Sequence, residues 1–138
     1  MPAEHVQRKI LFVDDDPLMH RLYQPHLERA GYQVISLMDG GEALQVASRE
    51  KPQVVVMDMM LPRTDGISAI LVIKSAGATR HIPIIAISSD VSYNSMRRQM
   101  TDMGVEVFLS KPFSPARLVT EIRRLDPCPP TAGAGADK

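Results

Sequence analysis

The most constraining stretch of the sequence runs from Val54 to Gly66 and opens with three consecutive valines. An apolar, β-branched run without a polar break is typical of a strand buried on both faces, as in a parallel sheet covered by helices. Asp58 ends this run, so its carboxylate would lie at the carboxyl edge of the sheet, where open α/β folds place their ligand sites. Pro62 and the Asp65-Gly66 pair then predict a loop, and Asp65 is a candidate cap for the next helix.

Short apolar runs alternate with amphipathic segments along the rest of the chain. Strands are predicted at residues 9–13, 33–37, 54–58, 83–87 and 106–109. Helices are predicted at about 17–30, 40–51, 66–76, 93–103 and 115–125. Five strands that alternate with five helices predict an α/β domain with a parallel sheet, right-handed crossovers and helices on both faces.

The length of 138 residues suits one ordinary domain. We expect this domain to occupy residues 9–125. From Asp126 onward the sequence is rich in Pro, Gly and Ala, which predicts a flexible tail over residues 126–138. Residues 1–8 are expected to form a flexible amino terminus.

Composition limits the kinds of partner. Sixteen Lys and Arg residues balance sixteen Asp and Glu residues, so no overall field favours nucleic acid or an anionic membrane. The single cysteine, Cys128, excludes an intramolecular disulfide and suits a reducing compartment. No apolar run approaches the roughly 20 residues that span a bilayer, and no signal peptide is recognisable. We therefore expect a cytoplasmic protein that binds neither membrane nor nucleic acid directly and recognises its partners through a local face.

Polar side chains follow four of the predicted strands. The first strand is followed by Asp14 and Asp15, the third ends in Asp58, and the fourth and fifth are followed by Ser88 and Lys111. Because carboxyl ends of parallel strands share one edge, we expect these side chains to lie together. Crowded carboxylates favour a hard divalent cation such as Mg²⁺, while a hydroxyl and an ammonium suit phosphoryl oxygens. This combination predicts a site that forms an aspartyl phosphate.

The same residues carry a family resemblance. The pattern consists of 13–16 (Val-Asp-Asp-Asp), Asp58, 61–66 with its Leu-Pro and Asp-Gly pairs, Ser88 and 111–113 (Lys-Pro-Phe). It resembles the receiver domain of two-component response regulators, of the single-domain type, over residues 10–125. The resemblance implies a flavodoxin-like fold with five parallel strands in the order 2-1-3-4-5.

The resemblance also implies a role for each site residue. Asp58 would be the phosphorylated residue, Asp15 a direct Mg²⁺ ligand and Asp14 a ligand through water. The Met60 carbonyl would be a further ligand. Ser88 and Lys111 would bind phosphoryl oxygens, and the peptide bond between Lys111 and Pro112 would be cis.

Signalling roles follow from the same resemblance. Ser88 and Phe108 would form the switch, although Ser88 stands where Thr is commoner and Phe108 where Tyr is frequent. Met60 and Asp90, two positions after Asp58 and Ser88, are expected to line the approach of water to the phosphoryl group. The partners would be a histidine kinase or a histidine phosphotransfer protein, and an unidentified downstream protein contacted through the fourth helix, fifth strand and fifth helix. Such a protein catalyses only its own phosphorylation and dephosphorylation.

Three alternatives remain open. The chain could be a receiver that belongs to a longer regulator or hybrid kinase. Residues 14–16 also fit the opening motif of haloacid dehalogenase-like phosphatases, in which Asp14 would be the nucleophile and Asp16 the acid/base; Asp58 would then have no role. A degenerate receiver that serves only for docking is disfavoured by the complete set of acidic residues, Ser88 and Lys111.

Overall fold

The computed structural model of the protein describes residues 8–61, 66–88, 97–127 and 129. The strands in this part of the chain are β1 (Lys9–Val13), β2 (Gln33–Leu37), β3 (Val54–Asp58), β4 (Ile84–Ser88) and β5 (Val107–Ser110). The helices are α1 (Pro17–Arg29), α2 (Ala43–Glu50), α3 (Gly66–Ser75), α4 (Arg97–Asp102) and α5 (Pro115–Leu125), and a short 3-10 turn at Gly40–Glu42 precedes α2.

The five strands form a single parallel sheet in the order β2-β1-β3-β4-β5. This confirms the fold class and the strand order that the resemblance implied. Every residue of the central strand β3 and of β4 is buried, as the unbroken apolar runs predict for strands covered on both faces.

Two apolar clusters cover the faces of the sheet, because successive residues of a strand point to opposite sides. On one face, Val55 and Met57 of β3 pack with α2, α3 and Met100 of α4. On the other face, Val54 and Val56 pack with α1 and α5. Helices therefore occupy both faces, and the carboxyl edge of the sheet is left for polar groups.

Several boundaries differ from the predicted ones by a residue or more. β4 ends at Ser88 rather than Ile87, because Ser88 continues the ladder opposite Ser110. The 3-10 turn replaces the predicted start of the second helix, and Asp39 caps that turn. Pro62, Asp65, Asp90 and the predicted start of the fourth helix near Tyr93 lie outside the described residues, as do most of the two predicted flexible ends.

The predicted tail boundary is corrected at Asp126. This residue is buried, and its carboxylate forms an ion pair with Arg8 and accepts a hydrogen bond from the Tyr32 hydroxyl at 2.9 Å. Asp126 is held in place because it pairs with groups far away in the sequence. A local composition rich in Pro and Gly does not reveal such pairing. None of the helices described is long and apolar enough to cross a membrane.

Candidate functional site

Asp58 is the last residue of β3 and lies opposite Ile87 of β4. Only 3% of its surface is exposed. The backbone N–H of Met60 donates a hydrogen bond to Asp58 Oδ1 at 2.9 Å. The chain therefore turns after the strand, and this hydrogen bond orients the carboxylate. The strand thus delivers one preoriented carboxylate to the carboxyl edge.

Asp14 and Asp15 follow the neighbouring strand β1. The Asp14 side chain is fully buried, and its Oδ1 accepts a hydrogen bond from the Asp16 N–H at 2.9 Å. Asp15 is exposed. One carboxylate oxygen from each of Asp14, Asp15 and Asp58 lies within 4.8 Å of the other two. The structure therefore brings together the three acidic residues that the sequence predicted.

Lys111, the residue that follows β5, completes this arrangement. Its ammonium lies 3.2 Å from Asp14 Oδ2 and 3.5 Å from Asp58 Oδ2. Its backbone N–H donates to the carbonyl of Ser88 at 2.8 Å, so the ends of β4 and β5 are joined at this point. Ser88 itself is buried, and the peptide bond between Lys111 and Pro112 is cis.

Burial raises the pKa of Asp58 to about 6. The Met60 N–H opposes this shift, the Asp14 carboxylate adds to it, and the Lys111 ammonium lowers it. Burial also acts to lower the pKa of Lys111, but the carboxylates of Asp14 and Asp58 outweigh it and raise that pKa. Lys111 therefore stays charged at neutral pH, and ionising Asp58 costs more free energy than ionising an exposed aspartate.

The donor set fits a hard divalent cation. Asp14, Asp15 and Asp58 supply carboxylate oxygens, the ligands that Mg²⁺ and Ca²⁺ prefer. The exposed Asp15 borders solvent, which leaves room for the waters that Mg²⁺ retains. The acidic cluster is thus compatible with a metal site.

Other predicted residues lie outside this cluster. The Met60 side chain is 47% exposed. Phe108 is buried, with the Arg97 guanidinium carbon 5.3 Å from its ring centroid. The Asp16 carboxylate accepts a hydrogen bond from the Leu18 N–H at 3.0 Å as the cap of α1. Asp90 lies outside the described residues.

Sequence reasoning missed the structural demand on Gly66. A Cβ at this first residue of α3 would lie 2.6 Å from the Asp58 carbonyl oxygen and 2.7 Å from Met59 Cα. The helix therefore approaches the end of β3 more closely than any side chain allows. The Asp65-Gly66 pair was the available signal, but it indicates a turn and says nothing about packing against Asp58.

Fold and site together define a doubly wound α/β protein with an acidic, cation-compatible site at the carboxyl edge of a parallel sheet. The family model of the response regulator receiver domain matches residues 10–123. The chain belongs to this family of two-component signal transduction proteins, which confirms the resemblance seen in the sequence.

Two curated relatives and one solved structure illustrate the match. The probable transcriptional regulator ycf27 of Porphyridium aerugineum is 36% identical over 124 residues, which cover 87% of this chain but 50% of that protein. The polar-differentiation response regulator DivK of Brucella anthropi is 30% identical over 116 residues, 84% of this chain and 94% of that protein. The solved structure is the receiver domain of the sensor histidine kinase PA1611 from Pseudomonas aeruginosa, crystallised with a magnesium ion in its active site cleft. Its TM-score is 0.78 and its sequence identity is 30%, and the match covers 89% of this chain and 100% of that one. The chain thus spans about half the length of the first relative and nearly all of the second.

Proposed function

We propose that the protein is a phosphorylation-dependent signalling switch that accepts a phosphoryl group on Asp58 from a histidine kinase or a histidine phosphotransfer protein. One observation carries the proposal. The buried Asp58 carboxylate lies 3.5 Å from the Lys111 ammonium, in a cluster whose acidic oxygens are within 4.8 Å of one another. A nucleophilic carboxylate beside a cation and a metal-compatible acidic pair is what aspartyl phosphate chemistry requires.

In the proposed reaction, an Asp58 carboxylate oxygen attacks the phosphorus of a phosphohistidine. An O–P bond forms while the N–P bond breaks, and the electron pair leaves with the imidazole nitrogen. Lys111 and Ser88 bind the oxygens of the transferred group. Asp14, Asp15, Asp58 and the Met60 carbonyl would hold Mg²⁺. When bound, Mg²⁺ would neutralise charge on the phosphoryl oxygens.

The proposed switch runs through Ser88. Phosphorylation adds oxygens that the Ser88 hydroxyl can bond, and the Ser88 carbonyl already accepts the Lys111 N–H at 2.8 Å. Displacement of this strand end would change the relative populations of the side-chain conformations of Phe108, which lies on β5 three residues before Lys111. The surface of α4, β5 and α5 would carry this change to a downstream protein.

The relatives support either a stand-alone protein or a receiver within a longer one. DivK is covered along 94% of its length, which is compatible with a stand-alone relay. The transcriptional regulator ycf27 is covered along 50%, which is compatible with a receiver that acts with another domain. We propose the stand-alone relay as the primary function and the larger regulator as its alternative.

Acetyl phosphate labelled with ³²P, supplied with Mg²⁺, tests the proposal. We expect label in the wild-type protein and none in Asp58→Asn. Asp16→Asn is the matched control, because asparagine also caps helices and should preserve labelling. Label on Asp14, loss of label in Asp16→Asn, or turnover of phosphomonoesters would instead indicate the phosphatase alternative.

A further inference from the structure

Helix α1 carries two buried side chains that face the main chain of the site. The first is His20, whose Nε2 lies 2.7 Å from the carbonyl oxygen of Asp14. A carbonyl can only accept a hydrogen bond, so Nε2 bears the proton and donates it. The Asp14 carbonyl belongs to the peptide group that joins Asp14 to Asp15. The hydrogen bond from His20 therefore fixes the orientation of the peptide between two acidic residues of the site.

The second side chain is Tyr23, almost one turn further along α1. Its hydroxyl donates a hydrogen bond to the carbonyl of Phe113, two residues after Lys111. Its ring stacks on the Phe113 ring with a centroid distance of 4.9 Å and an angle of 25°. Tyr23 thus holds the turn that follows Lys111 by a hydrogen bond and by aromatic packing at once.

Phe12 of β1 links these two contacts. Its ring meets the His20 ring edge to face at 5.1 Å and lies 6.1 Å from the Tyr23 ring. The three aromatic groups form a packed unit that leaves little freedom for either hydrogen bond to move. Phe12 and Tyr23 also belong to the apolar cluster that contains Leu118 and Ile122 of α5, so α1 lies between the two segments that supply Asp14 and Lys111.

We propose that His20 and Tyr23 are positioning residues of the phosphoryl-transfer site, with His20 holding the Asp14–Asp15 segment and Tyr23 holding the Lys111 segment. The inference rests on the proposed function. In that function Asp14 and Asp15 would bind the cation, and Lys111 would bind the phosphoryl oxygens. The two contacts should therefore affect different steps, although both lie on the same helix.

Four variants separate these steps. His20→Phe keeps an aromatic ring against Phe12 but removes the donor, and His20→Gln restores an N–H donor of similar reach. Tyr23→Phe removes one hydroxyl and keeps the ring stack. Tyr32→Phe is the matched control, since it also removes a buried hydroxyl hydrogen bond, the one to Asp126, but at the opposite edge of the sheet.

Two quantities are measured on the full chain: the Mg²⁺ dissociation constant by titration calorimetry, and the labelling rate constant with acetyl phosphate at saturating Mg²⁺. His20→Phe should weaken Mg²⁺ binding about three- to tenfold, the effect of one hydrogen bond, with near wild-type labelling at saturation. His20→Gln should recover most of the affinity. Tyr23→Phe should leave Mg²⁺ affinity within about twofold and slow labelling about three- to tenfold.

A purely structural role would move neither quantity once the folded fraction, measured by urea unfolding, is taken into account. Unchanged values in both His20→Phe and Tyr23→Phe would overturn the inference, as would an equal effect of Tyr32→Phe. If His20→Phe does not fold, His20→Leu, which also removes the donor, takes its place with the same expected loss of Mg²⁺ affinity, and Tyr23→Phe is unaffected. Failure of the wild-type protein itself to bind Mg²⁺ and to accept label would refute the proposed function rather than this inference.

Discussion

The amino and carboxyl edges of the sheet differ in how their acidic side chains are paired with cations. At the amino edge, acidic side chains have their own cationic partners: Asp126 pairs with Arg8, Glu106 with Lys74 at 3.1 Å, and Glu50 with Lys9 at 2.9 Å. At the carboxyl edge, the ion pairs formed within the described residues give Asp14 and Asp58 a single shared cation, Lys111, with Asp15 close by.

This difference separates structural charge from functional charge. The amino-edge pairs are reinforced by backbone contacts, since Glu106 also accepts the Ile84 N–H at 2.8 Å and Lys74 also donates to the Ile82 carbonyl at 2.8 Å. They hold strand and helix ends together. At the carboxyl edge an excess of carboxylate is kept in place by the fold, and the pKa of Asp58 is raised to about 6 because burial disfavours its charge. We interpret that excess as a site for a divalent cation, which together with Lys111 would bind the phosphoryl group of the proposed function.

The largest effect is expected at the amino edge. Asp126→Ala leaves Arg8 without its buried partner and removes the acceptor of the Tyr32 hydroxyl. Breaking a buried pair in this way costs about 3 to 5 kcal/mol. Urea unfolding at neutral pH should show this loss, whereas the labelling rate per folded molecule should stay within about twofold of wild type. A selective loss of labelling in the folded protein would break the distinction between the two edges.

A smaller effect is expected where α3 meets β3. Gly66→Ala places a Cβ within 2.7 Å of the main chain of Asp58 and Met59, which must shift to admit it. Overpacking of this kind costs about 1 to 3 kcal/mol. Because the displaced chain carries Asp58, labelling should slow as well.

Gly77→Ala provides the control for this substitution, since nothing lies within 4 Å of the added Cβ. We expect its unfolding free energy and labelling rate to match the wild type. Equal stability of Gly66→Ala and Gly77→Ala in the same urea titration would show that the close approach at Gly66 does not constrain the site.

The smallest effect concerns the lifetime of the phosphorylated protein. The exposed, apolar Met60 side chain cannot orient a water molecule for attack on the phosphoryl group. Met60→Asn supplies a polar group and should shorten the lifetime about three- to tenfold, or about 0.7 to 1.4 kcal/mol of barrier. The measurement is the decay of ³²P-labelled protein with Mg²⁺ present and the phosphate donor removed. Equal or slower decay in Met60→Asn would contradict a role for this side chain in water access.

The sequence predicted the central part of the fold because its signals there are local. Three valines before Asp58 indicate a doubly covered strand, and polar residues after the apolar runs indicate strand ends. Those signals were sufficient to predict that Asp14, Asp58 and Lys111 share one edge. The strand order needed the family resemblance, because periodicity does not indicate which strands are neighbours.

Contacts between distant residues explain what the sequence did not predict. Asp126 was assigned to a flexible tail because its neighbours are prolines, but its partners Arg8 and Tyr32 are 118 and 94 positions away. His20 offers no motif, and its hydrogen bond to Asp14 depends on how α1 packs over β1. In both cases the decisive information is tertiary packing.

The most direct test of the charge contrast is the unfolding free energy of wild type and Asp58→Asn as a function of pH and Mg²⁺. The pKa of Asp58 is about 6 in the folded protein and near 3.8 in the unfolded chain, so the folded state binds this proton more tightly. The resulting contribution to the free energy of unfolding is complete below pH 4 and is lost as the pH rises through 6. At pH 7 without divalent cations, Asp58→Asn should therefore be more stable than wild type by about 1 to 3 kcal/mol, and the difference should shrink towards pH 4. Millimolar Mg²⁺ should stabilise the wild type more than the variant. A variant that is less stable than wild type at pH 7, with no selective effect of Mg²⁺, would contradict the account.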